Sequence, residues 1–176
     1  METETADFVE STVGKEIRKS GEITKSQLLK MMKWRSEYVN RRDPDLDFIE
    51  KIDETALRHI TKMALQMSED LDIYKIKVLG IIKGLGPARA SVILSFYNPS
   101  RYGVFNWRVW EQLFPDEGNS YTPEDYVRFL KELRKRSDET GEKVRDIEFA
   151  LWKLDKESNS HARGQSRLPQ GTSTQR

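Results

Sequence analysis

A chain of 176 residues with 36% hydrophobic and 34% charged side chains has the length of one folded domain, and carries too much Leu, Ile, Val, Phe and Trp to be disordered throughout. Its 30 basic and 29 acidic residues leave a net charge of +1, so any basic face must be local. The absence of cysteine excludes disulfides, thiolate nucleophiles, Cys-type zinc sites and Cys-ligated iron–sulfur clusters, and no apolar run approaches the roughly 20 residues of a membrane span. An intracellular protein with no membrane partner is expected.

Apolar positions repeat every three to four residues, and alternating runs long enough for strands are missing, which predicts an all-α bundle of about eight helices. A first amphipathic helix is expected over Phe8–Lys19, stopping at Ser20-Gly21. The stretch ITKSQLLKMMKW starts a second, with Thr24 as N-cap and Gln27 completing a capping box. Asp43 and Pro44 signal a third start. A helix from about Asp53 to Met67 places Leu57, Ile60, Ala64 and Met67 on one side. Helical runs over Leu71–Ile82 and Pro87–Phe96 then flank a glycine turn. Thr122 and Pro123 open a helix with Tyr126, Phe129, Leu130 and Leu133 on one face. A last helix, about Lys143 to Asp155, is expected to carry Ile147, Ala150, Leu151 and Leu154 inward. Residues 1–156 read as a single domain, and 157–176 as a disordered polar tail in which Arg163, Arg167 and Arg176 either keep it solvated or add nonspecific attraction to a polyanion.

The turn itself is Lys83-Gly84-Leu85-Gly86. Its glycines reach φ values forbidden to other residues and Pro87 fixes the first turn of the next helix, so the connection is short and rigid. Backbone N–H groups at that helix start suit a phosphate oxygen, because unsatisfied donors and helix dipole point the same way. Ala88, Ala90 and Ser91 keep the second helix slim. An αα-hairpin with a glycine turn also occurs with no ligand at all, and Lys83 and Arg89 are either phosphate contacts or solvated cations.

The whole pattern, two apolar residues, x, Gly, apolar, Gly, three residues, Ala and then apolar pairs, resembles the helix-hairpin-helix DNA-binding motif. The segment that follows, ASVILSFYNPSRYGVFNWRVWEQLF, resembles the stretch after the hairpin in the HhH-GPD superfamily of endonuclease III-like DNA glycosylases. The likeness covers roughly residues 50 to 155 and extends to a compact branch in which a segment similar to LLKMMKWRS recurs. The resemblance implies a DNA-glycosylase-like helical bundle whose hairpin grips a phosphate of duplex DNA without reading sequence. It makes Lys83, Gly84, Leu85, Gly86, Ala88 and Arg89 the DNA-binding residues. It also implies a monovalent cation at the turn carbonyls, no other cofactor and no metal. A monomer in the cytoplasm or on the nucleoid, working in base excision repair, is the corresponding setting.

In that superfamily a loop Asp stabilises the oxocarbenium-like charge that develops on the sugar, and strand-cutting members add a hairpin Lys that forms a Schiff base. Here Asn106 occupies the position of the Asp and Ala88 that of the Lys, so no lyase activity is expected. Asn106 retains the capacity to cap a helix while losing the charge. Glu111, Asp53 and Glu54 are the other carboxylates considered, with nothing in the sequence favouring one of them. Trp107, Trp34 and Tyr102 are candidates for a pocket that stacks on an extrahelical base, and Lys33-Trp34-Arg35 with Arg41 and Arg42 for a backbone contact. Three readings stay open: a DNA binder of glycosylase type without excision chemistry, an active monofunctional glycosylase using another carboxylate, and a protein-interaction or RNA-binding module on the same fold.

Overall fold

The computed structural model describes residues 6–38, 46–118 and 120–165. These are helical, with no strand: α1 (Ala6–Ser20), α2 (Lys25–Tyr38), α3 (Asp47–Lys51), α4 (Glu54–Gln66), α5 (Asp72–Leu79), α6 (Pro87–Tyr97), α7 (Trp107–Leu113), α8 (Pro123–Thr140) and α9 (Val144–Gln165). The all-α expectation holds, with nine helices among the described residues. None of them is long and apolar enough to cross a membrane.

Local chemistry sets the helix starts. Before α2, Thr24 N–H donates to Gln27 Oε1 at 3.0 Å and Gln27 N–H to Thr24 Oγ1 at 3.2 Å, the reciprocal box expected from sequence. Asp53 accepts from Ala56 N–H at 2.8 Å to start α4. Thr122 and Asp125 close a second box ahead of α8, with Pro123 in its first turn. The Asp43–Pro44 signal and the Arg41–Arg42 pair lie outside the described residues, and α3 begins at Asp47.

Helix α6 is the axis of the bundle. Ala90 through Phe96 are all buried, so it is covered on every side, and α1, α2 and α5 pack against it. Gly14 lets α1 come this close: a Cβ there would sit 2.7 Å from Phe96 O. On the other side, Phe105 lies among the rings of Trp110, Tyr126, Phe129 and Tyr121 at centroid distances of 5.9, 5.4, 5.1 and 5.1 Å. The expected inward face of α8 is all in the core.

Two boundaries and one face differ from expectation. Helix α5 stops at Leu79 and not at Ile82, because Gly80 to Leu85 wind through successive turns with bonds such as Ile82 N–H to Leu79 O at 3.2 Å. Helix α9 continues to Gln165, past Glu157 where the polar tail was expected to begin, and the tail's remaining residues lie outside those described. Ala150 and Leu154 of α9 are exposed; its buried face is Val144, Arg145, Ile147, Glu148 and Trp152. Two charged residues, Arg145 and Glu148, are buried on this face and pair with each other.

Candidate functional site

The hairpin brings Lys83, Gly84, Leu85, Gly86, Ala88 and Arg89 into one turn. Gly84 has φ 97°, and a Cβ there would meet the Phe48 ring of α3 at 2.6 Å. Glycine is thus required twice over, by backbone and by space. Replacing Gly84 with Ala is expected to cost about 2 kcal/mol or more, measurable by urea unfolding, with α3 loosened from the turn.

Leu85 is buried and anchors the turn in the core, so only its backbone is available to a ligand. Arg89 is engaged within the turn as well. Its Nη1 donates to Gly84 O at 2.8 Å while the guanidinium lies 4.7 Å from the centre of the Phe48 ring. Gly84 O accepts from Arg89 and Ile82 O accepts from Leu85 N–H at 2.9 Å. Arg89 therefore acts as a clasp on the turn, whereas Lys83 is exposed beside it.

The start of α6 leaves backbone donors unpaired within the backbone. Arg89 N–H and Ala90 N–H both donate to Gly86 O, at 3.0 and 2.9 Å, and no backbone acceptor among the described residues pairs with Gly86 N–H or Ala88 N–H. A Cβ on Gly86 would meet nothing within 4 Å, so a side chain fits there. The helix dipole adds its positive end to the same point.

Ser91 links this turn to the segment before α7. Its Oγ donates to Ala88 O at 2.9 Å and accepts from Phe105 N–H at 2.8 Å, which draws the Ala88 and Asn106 positions onto one side of α6. Asn106 caps α7, its Oδ1 accepting from Val109 N–H at 3.1 Å. The side chain's two N–H donors are used too: Nδ2 donates to Val104 O at 3.2 Å and to Glu148 Oε1 at 2.7 Å. Asn106 is 3% exposed and Glu148 fully buried. Glu148 Oε2 accepts from Val104 N–H at 3.3 Å and from the Arg145 guanidinium, which pairs in turn with Glu10 of α1 at 2.8 Å. The amide is needed at position 106 because its neighbour is a carboxylate that requires a donor.

Glu148, Arg145 and Glu10 were not among the carboxylates and cations singled out from sequence. Those that were have other work. Asp53 caps α4, Glu54 pairs with Arg58 and accepts from Lys25 N–H at 3.1 Å, and Glu111 is exposed on α7.

The three aromatic candidates do not converge. Trp34 is buried edge-on against Phe96 at 4.9 Å and lines a cleft of about 330 Å³ with Glu10, Arg18, Arg145 and Phe149, at the C-terminal end of α6 and away from the turn. Tyr102 is buried, donating to Asp72 Oδ1 at 2.9 Å beside Arg134, which also pairs with Asp72. Burial foremost, then the Asp72 charge, holds the phenol well above its ordinary range, and burial lowers the nearby Lys75 amine. Trp107 alone is partly open, 38% exposed beside Asn106, with the Arg108 guanidinium 4.6 Å from its ring centre.

Comparison with protein-family models, curated proteins and solved structures finds no match for the chain.

Proposed function

We propose that this protein grips the backbone of duplex DNA through the turn at residues 83–89, independently of sequence, on a helix-hairpin-helix bundle of DNA-glycosylase type, and performs no base excision. The observation that supports the reading is the start of α6, where Gly86 N–H and Ala88 N–H have no backbone acceptor among the described residues, beside exposed Lys83. A site built from backbone donors suits phosphate, and phosphate contacts position the protein without specifying sequence.

The absence of excision chemistry follows from the neighbourhood of Asn106. A general base or charge stabiliser must face the reacting sugar in ionised form. Here the amide caps α7 and is bonded and buried, and the carboxylate beside it is paired with Arg145. Such a protein works as a monomer on DNA, in the cytoplasm or on the nucleoid, and binds damaged or intact duplex without cutting it.

Fluorescence anisotropy with a random-sequence duplex tests the reading. Lys83→Glu is expected to weaken binding on every duplex and to lower the slope of log affinity against log salt by about one. Unchanged affinity and slope would remove the turn from the interface. Release of a base from a panel of oxidised, alkylated, deaminated or mismatched duplexes would overturn the absence of excision.

A further inference from the structure

The solvent side of α5 runs directly into the hairpin. Because α5 buries Asp72, Lys75, Ile76 and Leu79, its outer stripe is Tyr74, Lys77 and, just past its end, Ile81. These stand three and four residues apart and share one face. The winding carries through the helix end, with Gly80 N–H on Ile76 O at 2.9 Å and Ile81 N–H on Val78 O at 3.2 Å. Ile81 is 68% exposed and Tyr74 57%, and two residues beyond Ile81 comes exposed Lys83.

Lys77 lies 3.0 Å from Glu124 in an ion pair whose side chains are 51% and 60% exposed. A pair so wet contributes little, and the amine can exchange that carboxylate for a phosphate. From Tyr74 to Ile81 the helical rise covers about 10 Å, the length of roughly three nucleotides of one strand. Apolar and cationic groups alternate along the stripe, as apolar sugars and charged phosphates alternate along DNA. The exposed acidic residues Glu69 and Asp70 bound it at the far end.

We infer that the Tyr74–Lys77–Ile81 stripe is a second part of the duplex interface: Tyr74 and Ile81 lie against deoxyribose surface in the groove, and Lys77 contacts the phosphate between them. The inference rests on the proposed DNA-binding role, and commits that role to a footprint wider than the turn. Apolar contacts of this kind add affinity that salt does not screen.

The test is anisotropy at several salt concentrations, with the fold of each variant checked by circular dichroism. The double variant Tyr74→Ala/Ile81→Ala is expected to bind five- to tenfold more weakly with the salt slope unchanged, since no phosphate contact is lost. Lys77→Ala is expected to lower the slope by about one. Affinity of the double variant within twofold of wild type, while Lys83→Glu still weakens binding, would overturn the inference and leave the hairpin role standing. No binding by wild type at low salt would overturn both.

Discussion

Asn106→Asp is expected to destabilise the protein by about 3 kcal/mol or more at neutral pH and to confer no base release. The introduced carboxylate would replace the N–H that donates to Glu148 Oε1 at 2.7 Å, placing two acids in contact where both residues are buried. The N-cap acceptor to Val109 N–H survives the change, so the loss is electrostatic. Repulsion and burial raise the pKa of the introduced acid in the folded state above its unfolded value. A group raised in this way contributes stability that is fully present below the unfolded pKa and lost as pH rises through the folded one. The gap from wild type should therefore narrow between pH 7 and pH 5, which urea unfolding at the two pH values measures. A variant as stable as wild type at pH 7 would contradict the amide–carboxylate account.

The second large effect is on binding. Gly86 is the N-cap of α6 with φ −65° and ψ 171°, extended backbone that any residue adopts, and a Cβ there meets no neighbour. Gly86→Asp should cap the helix as well as glycine does or better, leaving stability within about 0.5 kcal/mol of wild type. The same carboxylate would sit on the donors assigned to phosphate and repel it, so duplex affinity is expected to fall by about tenfold or more. Gly86→Ser, which caps without charge, should retain affinity within a few-fold. The contrast between the two variants separates the anion site from any general effect of losing glycine, and equal affinities would argue against a phosphate at this turn.

What the sequence discloses here depends on whether a feature is local. The Thr24–Gln27 and Thr122–Asp125 boxes, the glycine turn and the Asn106 cap involve residues within a few positions of one another, and each is legible from residue type and spacing. The charged core is not. Arg145 pairs with Glu10 across 135 residues, and Arg134 with Asp72 across 62, so no spacing rule reveals them. Buried ions also break the hydrophobic period, which is why Ala150 and Leu154 read as inward while Arg145 and Glu148 take the buried face. Aromatic residues pose a related difficulty. Trp34, Tyr102 and Trp107 are equivalent as sequence, and only packing divides them between a cleft wall, a buried hydrogen-bond cluster and the surface.

The most direct test of the central claim is the affinity of a random-sequence duplex for wild type and Gly86→Asp, titrated by anisotropy over a range of salt. The hairpin account predicts that log affinity for wild type falls linearly with log salt, with a slope of roughly −2 to −4 for a few phosphate contacts, and that Gly86→Asp binds far more weakly at every salt. Wild-type affinity indifferent to salt, or equal affinity in the two proteins, would contradict it.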